Sequence, residues 1–391
     1  MNSAAMRSWV EVDLGALNGN VRALRACAPA GAAFMAVVKA DAYGHGMDLV
    51  VPALAGEVDW LGVANLREGL QARALAPGVP VLILGAALPA EREAVVQAGF
   101  VPMLSCWEEA QGYALAARGR LFEVHLAVDT GMGRIGVWEA DALELARAVR
   151  TLPSLRLAGV GSHFPVADED AHFTRTQAER FRDLVARLRA EGLVDGPAHL
   201  ANSAGVLAFP ETAPDVFRAG LALYGVSPLA EFQGKLQPVL AWKTRLSLVR
   251  ELESGRTVSY GRTYVASKRM RVATLAAGYA DGYRRHVSNR GAQVLVDGVR
   301  CPVLGRVTMD QVMVDVSGCA RAEAGMEAVL LGTQGGERVS AADLAGFAGT
   351  IPWEVLTGIG PRVVRVPVAE GRFGDPGGGR SALETNTGQP G

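Results

Sequence analysis

The sequence lacks the features that mark disulfide-stapled, metal-binding or membrane proteins. Its four cysteines show no CxxC spacing and its six histidines no HExxH or i,i+4 pairing, so we expect buried or incidental thiols and no metal site. No stretch approaches the roughly 18 apolar residues of a membrane span, and Glu11 and Asp13 interrupt the apolar segment that a signal peptide would need. We therefore expect a cytoplasmic protein that does not bind membranes.

An excess of charge of either sign is also absent. Lys+Arg total 39 and Asp+Glu 40, so the formal net charge is -1 and gives no field that would attract a polyanion. We therefore expect no nucleic-acid partner. Hydrophobic residues make up 49% of the chain and charged residues 20%, which favours a large folded core over disorder. The 391 residues allow two or three domains, or one large barrel with a smaller partner.

Short apolar runs alternate with longer amphipathic stretches from Val10 to about residue 235, as in βα units. The apolar runs predict strands at 34–38, 59–63, 80–84, 100–103, 122–128, 156–162, 197–201 and 216–218. Helical spacing predicts helices at 48–55, 67–76, 90–98, 108–117, 140–149 and 176–191, preceded by Leu14–Cys27 with Asp13 as its N-cap. These units predict an α/β fold with an N-terminal (β/α)8 TIM barrel over residues 1–235, although a doubly wound open sheet would give much the same pattern.

The pattern changes after Pro238. Alternating, β-branched runs separated by glycine and turn residues, with VDGVR as a hairpin signal, predict a mainly β domain over residues 236–370 with one helix at 341–346. The segment 371–391 is glycine-rich, polar and without period, so a disordered tail is expected there.

Lys39 ends the first predicted barrel strand, in the segment AVVKADAYGHG. A lysine at a strand end is most often a solvated charge. In a TIM barrel, however, the C-terminal strand ends form the catalytic face. A partly desolvated lysine has a lowered pKa and is suited to forming a Schiff base with an aldehyde cofactor. Lys39 is therefore a candidate for the attachment of such a cofactor.

Polar residues follow several further strands at the same end of the predicted barrel. The motifs are DTGMGRIG with Asp129 and Arg134, SHF with His163, NSAG with Asn202 and Ser203, and RAGLALYG with Arg218, Gly220 and Leu221. Each motif alone is weak, since a turn glycine beside a solvated arginine is common. Together they predict an electropositive cup, because these strand ends converge on one mouth of a barrel.

These motifs, followed by VSYGRTY, GYADGY and GRVTMDQ in the β domain, strongly resemble the alanine racemase family. The resemblance runs from about Trp9 to about Pro367 and omits only the tail. It implies a homodimeric isomerase that uses pyridoxal 5′-phosphate (PLP) to interconvert L-alanine and D-alanine, supplying D-alanine for peptidoglycan.

The resemblance implies a two-base mechanism, because racemisation removes the Cα proton from one face and returns one to the other. Lys39 matches the lysine that holds the cofactor aldehyde and serves as the base on one face. Tyr260 matches the opposite base, which comes from the partner subunit. Arg218 and His163 match the other members of a hydrogen-bonded chain to that tyrosine. Arg218 also matches the residue facing the pyridine nitrogen, to which a guanidinium can donate a hydrogen bond but hardly a proton.

The resemblance also assigns contacts to the cofactor and the substrate. The implied cofactor contacts are Lys39, Tyr43, Arg134, His163, Asn202, Ser203, Arg218, Gly220, Leu221 and Trp353. The implied substrate contacts are Arg134 together with Met309, Asp310 and Tyr279, of which Met309 and Asp310 match residues of the partner subunit and Tyr279 matches an access-channel tyrosine.

Two positions depart from the family pattern. Ala127 stands where the best-known members have a lysine whose carbamate braces the arginine matched by Arg134, and alanine can form no carbamate. An anion such as chloride, or a rearranged neighbour, is left to take the place of that brace. Trp353 stands where many members have a tyrosine that touches the phosphate, and an indole offers only an N–H donor.

Three other functions compete with this one. A barrel-type PLP decarboxylase would need a cysteine in a GPTCDS-like segment, which neither Cys301 nor Cys319 provides. A non-catalytic PLP-binding protein of the kind that retains only the barrel is disfavoured by the intact β domain with Tyr260. A racemase of broader substrate range remains open, since selectivity depends on the shape of the pocket.

Overall fold

The computed structural model describes residues 6–213 and 215–368, so the predicted tail at 371–391 lies outside the described residues. The described chain begins with strand β1 (Ser8–Asp13) and helix α1 (Leu14–Cys27). Asp13 caps α1 as predicted, because its carboxylate accepts the backbone N–H of Ala16 at 2.8 Å.

The next strands form the barrel. Their bounds are β2 (Ala33–Val37), β3 (Trp60–Val63), β4 (Val81–Ile83), β5 (Val101–Leu104), β6 (Phe122–Asp129), β7 (Val137–Trp138), β8 (Leu155–Gly161), β9 (Ala198–His199) and β10 (Val216–Ala219). Eight of them are parallel neighbours in the order β5-β4-β3-β2-β10-β9-β8-β6, and pairing of β5 with β6 closes the ring. The short β7 pairs only with β6, beside the ring. The prediction of an eight-stranded barrel is confirmed, and the open-sheet alternative is wrong.

Helices connect the barrel strands. Their bounds are α2 (Lys39–Tyr43), α3 (Met47–Leu54), α4 (Leu66–Leu75), α5 (Arg92–Ala98), α6 (Trp107–Ala117), α7 (Ala142–Arg150), α8 (Ala171–Ala190) and α9 (Ser203–Ala208). Short 3-10 turns lie at Pro89–Glu91, Glu139–Asp141, Pro210–Thr212, Leu221–Tyr224, Ala230–Lys235, Tyr260–Arg262 and Arg285–Val287. Helix α8 begins five residues before its predicted start, because the Asp170 carboxylate accepts the N–H of Phe173 at 2.9 Å and so caps the helix there.

The second domain is mainly β, as predicted. Its strands are β11 (Leu240–Leu252), β12 (Thr257–Val258), β13 (Tyr264–Val265), β14 (Met270–Leu275), β15 (Gln293–Val296), β16 (Val299–Pro302), β17 (Val312–Asp315), β18 (Glu327–Gln334), β19 (Glu337–Val339) and β20 (Val364–Val368). Its helices are α10 (Ala341–Ala348) and α11 (Pro352–Thr357).

The first strand of the chain lies outside the barrel. Strand β1 pairs antiparallel with β11, where Trp9 faces Lys243, and parallel with β20, where Trp9 faces Val364. The sequence-based assignment of residues 1–235 to the barrel therefore needs a correction, because β1 completes the sheet of the second domain. Pairing over more than two hundred residues leaves no local signal in the sequence.

Candidate active site

A cavity of about 830 Å³ lies at the C-terminal ends of the barrel strands. All of the residues predicted to contact the cofactor line it: Lys39, Tyr43, Arg134, His163, Asn202, Ser203, Arg218, Gly220, Leu221 and Trp353. The predicted convergence of the strand ends on one mouth is therefore present as a single concave site. The second domain closes part of its wall, since Ile351, Trp353 and Thr357 also line it.

Lys39 is half-buried at the end of β2 and projects from an unusual turn. Ala40, Asp41, Ala42 and Tyr43 have φ angles of 54°, 54°, 54° and 53°, so four consecutive non-glycine residues are left-handed. Such residues cost roughly 1–2 kcal/mol each, and they persist only where the surroundings hold them. Burial, reinforced by the charge of Arg134, lowers the pKa of Lys39, which favours a neutral, nucleophilic amine.

The other end of this turn carries Tyr43 into a cradle at the ends of β9 and β10. A Cβ atom at Gly220 would collide with the Tyr43 hydroxyl, so glycine is required for this close approach. The Ser203 hydroxyl accepts the backbone N–H groups of Gly220 at 3.1 Å and Ala222 at 3.2 Å. With both lone pairs occupied, the hydroxyl proton of Ser203 is left to donate into the cavity, as an anionic ligand requires.

Two of the predicted cofactor contacts also have local structural roles. Asn202 caps α9, because its side-chain oxygen accepts the N–H of Gly205 at 3.0 Å. Trp353 lies in the first turn of α11 and reaches the cavity from the second domain of the same chain. The barrel residues are therefore positioned partly by helix starts, and Trp353 by packing between the domains.

Arg218 is the most enclosed charge of the site, with 5% of its surface exposed. Its Nη1 donates to His199 Nδ1 and to the His199 carbonyl, both at 2.7 Å, and its Nη2 donates to the Ser162 carbonyl at 2.6 Å. Nη2 also lies 3.1 Å from His163 Nδ1. All of these partners are carbonyl oxygens or imidazole nitrogens, so no carboxylate neutralises the guanidinium within the described part of the chain. Burial, aided by Arg134, lowers the pKa of Arg218 to about 10, so it remains charged at neutral pH.

The hydrogen bonds of Arg218 fix the protons on the neighbouring rings. A guanidinium can only donate, so Nδ1 of both His163 and His199 must be an acceptor and each neutral ring carries its proton on Nε2. Burial, with the charges of Arg218, Arg134 and Lys39, lowers the pKa of His163 to about 3. His163 is therefore a neutral ring at the cavity wall that can donate from Nε2.

Arg134 is held at the rim of the cavity through its backbone. The buried Asp129 carboxylate accepts four consecutive backbone N–H groups, from Gly131 at 2.8 Å, Met132 at 2.9 Å, Gly133 at 2.7 Å and Arg134 at 3.1 Å. One buried carboxylate thus fixes the whole loop of the DTGMGR motif. Because Asp129 binds only the main chain of Arg134, the exposed Arg134 side chain can turn towards a ligand.

Ala127 lies in an apolar layer inside the barrel. It is 2% exposed and belongs to a buried cluster with Met35, Leu82, Met103 and Val216. Ala127 therefore offers Arg134 no polar brace of the kind that a carbamylated lysine would give, and this agrees with the departure noted in the sequence.

The remaining predicted site residues lie elsewhere on this chain. Tyr260, Tyr279, Met309 and Asp310 are all exposed, and none of them lines the cavity. Tyr260 is 71% exposed at the tip of the β12–β13 hairpin. The structure therefore does not bring the predicted second base together with Lys39 within one chain.

These four residues nevertheless share one neighbourhood of the second domain. The hydroxyl of Ser259, next to Tyr260, donates to the Arg306 carbonyl at 2.5 Å. The backbone N–H of Tyr279 donates to the Thr308 carbonyl at 3.0 Å, and the next N–H donates to the Met309 carbonyl at 2.9 Å. The loops that carry Tyr260, Tyr279, Met309 and Asp310 are thereby tied to one another, and we call these four residues the exposed β-domain face.

Sequence reasoning missed three residues around the site. His199 holds Arg218, and its own Nε2 lies 3.0 Å from Nδ1 of a second buried histidine, His125. The available signal was their position on predicted barrel strands, where a buried imidazole needs a polar partner. Glu68 also escaped notice, although it accepts the backbone N–H of Ala40, at the start of the turn after Lys39, and that of Ala64, just after β3.

Residues 6–213 and 215–368 contain neither a cluster of metal ligands nor a membrane-spanning helix. No group of three or more His, Cys, Asp or Glu side chains in these ranges could hold a metal ion. No helix within them is long and apolar enough to cross a membrane.

A barrel with an added β domain, and an amine at the barrel mouth where an aldehyde cofactor can attach, defines the class: PLP enzymes of the barrel-plus-β-domain type. Two family models match the chain, the alanine racemase N-terminal domain over residues 12–228 and the alanine racemase C-terminal domain over residues 239–367. The chain therefore belongs to the alanine racemase family, which is a family of PLP-dependent isomerases.

Individual relatives agree with this assignment. The alanine racemase of Symbiobacterium thermophilum is 45% identical over 364 residues, covering 92% of this chain and 96% of that protein. The alanine racemase of Streptomyces coelicolor A3(2) has a solved structure that superposes with a TM-score of 0.88 at 39% identity, covering 94% of this chain and 100% of the other. The structure of the Bartonella henselae enzyme, with covalently bound pyridoxal phosphate, gives a TM-score of 0.84 at 26% identity, covering 93% and 100% of the two chains.

Proposed function

We propose that this protein is an alanine racemase, which interconverts L-alanine and D-alanine with PLP and uses Lys39 and Tyr260 as its two bases. The observation that carries the proposal is the amine of Lys39, half-buried at the mouth of the barrel with its pKa lowered, in the same cavity as Arg134, His163 and Arg218. When bound, PLP supplies a conjugated electron sink that acidifies the Cα proton of an attached amino acid.

The residues of the cavity fit this cofactor. Lys39 supplies the amine for its aldehyde, and Ser203 directs a hydroxyl proton towards the cradle that Tyr43 and Gly220 form, which suits a phosphate. Arg218 suits the pyridine nitrogen, because a guanidinium that stays protonated can donate a hydrogen bond but hardly a proton. By donating a hydrogen bond without giving up its proton, Arg218 would keep the ring from becoming a full electron sink and so favour return of the proton to Cα over side reactions.

Lys39 can take and return a proton on one face of the substrate, because burial lowers the pKa of its amine and so favours the neutral form that acts as a base. A single base cannot serve both faces, and the family resemblance assigns the second face to Tyr260. His163 is held neutral with Nδ1 occupied by Arg218, so it is suited to donate from Nε2. Donation to the Tyr260 oxygen would stabilise the phenolate that acts as the second base.

The exposed β-domain face leads to the proposal of a homodimer with shared active sites. Tyr260, Met309 and Asp310 are exposed and lie outside the cavity of their own chain. Because the second base must reach the substrate beside Lys39, we propose that a second copy inserts this face into the cavity mouth. A two-fold arrangement then forms two equivalent sites. Arg134 at the rim would bind the substrate carboxylate, and Tyr279 would lie along the access channel.

Turnover assays with both alanine enantiomers test the function. The proposal expects PLP-dependent formation of D-alanine from L-alanine and the reverse, approaching equal amounts of the two. Comparable rates with serine or lysine would favour a racemase of broader range, and no racemisation of any amino acid despite PLP binding would favour a non-catalytic carrier. Complementation of a D-alanine-requiring bacterium tests the proposed cytoplasmic role of supplying D-alanine for peptidoglycan.

Cofactor attachment is tested separately from turnover. Borohydride reduction of the PLP-loaded protein, followed by peptide mapping, should place the label on Lys39. A label on Lys235 or Lys243 instead would refute the assignment.

A further inference from the structure

Glu68 ties the turn that carries Lys39 to the neighbouring barrel strand. It lies in the first turn of α4, and its two carboxylate oxygens accept different backbone N–H groups. Oε1 accepts from Ala40, the residue after Lys39, at 2.9 Å, and Oε2 accepts from Ala64, the residue after β3, at 2.7 Å. One side chain thus spans the gap between two strand ends at the cavity wall.

A second glutamate of the barrel shows which of these contacts is merely structural. Glu109 stands at the start of α6, and its Oε2 accepts the N–H of Ser105 at 2.6 Å. This is the same spacing of four residues that joins Glu68 to Ala64. The bond from a glutamate to the N–H just after a strand is therefore a recurrent device for joining strand and helix. The bond between Glu68 and Ala40 has no counterpart at Glu109.

The hydrogen bond from Ala40 to Glu68 lies at the start of the left-handed turn, where a backbone N–H lacks an acceptor within the turn. The left-handed turn starts at Ala40, and the first N–H groups of any helical turn lack acceptors within the turn itself. Glu68 supplies the acceptor for Ala40 and so acts as a cap from outside. The direction of the Lys39 side chain depends on this turn, because Lys39 immediately precedes it.

Glu68 also balances the charge around the amine. The groups that face Lys39 are Arg134 from the loop after β6, Arg218 from β10, His163 from the loop after β8 and Glu68 from α4. Both arginines lower the pKa of Lys39, whereas Glu68 raises it. Of these four groups, the two arginines are positive, His163 is neutral and Glu68 carries the negative charge.

We propose that Glu68 is a positioning residue for Lys39, which holds the strained turn that aims the amine and supplies the negative charge that offsets Arg134 and Arg218. The consequence for turnover rests on the proposed function, in which Lys39 acts as a base. The effect of Glu68 on the titration of the Lys39 amine does not rest on the proposed function.

The test compares Glu68→Gln with Glu109→Gln in the full chain. Glutamine loses the charge and replaces one of the two accepting oxygens with an NH2 group, which can only donate, so one of the two backbone N–H groups loses its acceptor. Before PLP is added, trace acetylation over a range of pH, followed by peptide mapping, reports the titration of Lys39 against Lys235. We expect Glu68→Gln to shift the Lys39 titration to lower pH, on the order of one pH unit, and Glu109→Gln to leave it unchanged.

In the PLP-loaded enzyme, we expect Glu68→Gln to lower kcat by about tenfold or more with little change in KM, since the aim of a base matters most in the transition state. Glu68→Asp serves as a second variant, because it keeps the charge but is too short to span both N–H groups. It should lower kcat with a smaller shift of the Lys39 titration.

Superposable Lys39 titrations for the wild type, Glu68→Gln and Glu109→Gln would overturn the proposal, as would equal losses of kcat in the two glutamine variants. These outcomes are distinct from failure of the proposed function, which would show as borohydride labelling away from Lys39 or as absence of racemisation in the wild type.

Discussion

Arg218 Nη1 donates to His199 Nδ1 across 2.7 Å inside the barrel, and His199 Nε2 lies 3.0 Å from Nδ1 of His125. Because the guanidinium can only donate, the proton of His199 lies on Nε2 and is donated to His125. Each hydrogen bond therefore donates away from Arg218, first to His199 and then to His125. None of the contacts of Arg218 described above is a carboxylate. His199 therefore helps to set the orientation of Arg218 without neutralising it, and His125 accepts the remaining proton of His199.

Replacement of His199 tests this orientation. His199→Phe keeps a ring of similar shape but removes the acceptor, so one buried donor of Arg218 loses its side-chain partner at a cost of about 1–3 kcal/mol. We expect a loss of unfolding free energy of that size and a fall in kcat/KM for alanine of about tenfold or more. His125→Phe, which does not touch Arg218, is the matched control and should affect kcat/KM much less. Equal effects of the two variants on kcat/KM would contradict the role given to His199.

The buried histidines predict a loss of stability in acid. Burial lowers the pKa of His45 and of His125 to about 4, and the pKa of His199 well below its ordinary value. The unfolded chain binds protons at these rings near pH 6.5 while the folded chain does not, so stability falls as the pH drops below about 6.5. Each ring contributes a slope of up to about 1.4 kcal/mol per pH unit down to about pH 4.

Urea unfolding between pH 7 and pH 4 measures this slope. His125→Phe should reduce it by about one proton, whereas His172→Gln, at an exposed position, should leave it unchanged. An identical slope in His125→Phe and the wild type would show that His125 does not contribute in this way.

Tyr260 should serve only one face of the substrate. Tyr260→Phe removes the phenolic proton carrier, so racemisation should fall by about 100-fold or more. Lys39 remains, and the variant should therefore still exchange the Cα proton of one alanine enantiomer with deuterated solvent. Mass spectrometry of each enantiomer measures this exchange, and equal residual exchange of both would count against two separate bases.

Trp353 should limit the affinity for PLP. Trp353→Tyr places a hydroxyl where the family resemblance implies a contact to phosphate, and a net hydrogen bond adds about 0.5–1.5 kcal/mol. We expect tighter PLP binding in a fluorescence titration of the cofactor-free protein. Trp353→Phe removes the indole without adding a hydroxyl and controls for ring size. Binding that is unchanged or weaker in the tyrosine variant would indicate that the indole N–H already fills this role.

Much of the fold could be predicted because the determining patterns are local. The alternation of apolar runs with amphipathic stretches gave the eight barrel strands, and the Asp13 side chain marked the start of α1. The cavity residues could be located because strand ends in a barrel converge on one mouth. Motifs such as VVKADAYGHG then led to a family, which the comparisons confirmed.

The features that could not be predicted depend on contacts between residues far apart in the sequence, which no local pattern indicates. Strand β1 joins the second domain through partners more than two hundred residues away, such as Trp9 with Lys243. The left-handed turn after Lys39 could not be predicted, because it contains no glycine before Gly44. Glu68, which stabilises this turn, lies on another helix. The partners of Arg218 are likewise set by the pairing of strands, because β9, which carries His199, lies beside β10.

Subunit exchange between two inactive variants tests the central claim, that Lys39 of one chain works with Tyr260 of another. Lys39→Ala and Tyr260→Ala homodimers should each be inactive, because every site lacks one base. In a mixed dimer one site carries both substitutions, while the other combines an intact Lys39 with an intact Tyr260. Random exchange at equal amounts makes about half of the dimers mixed, so activity should recover to about a quarter of wild type. No recovery, with exchange verified by native mass spectrometry, would mean that both bases come from one chain.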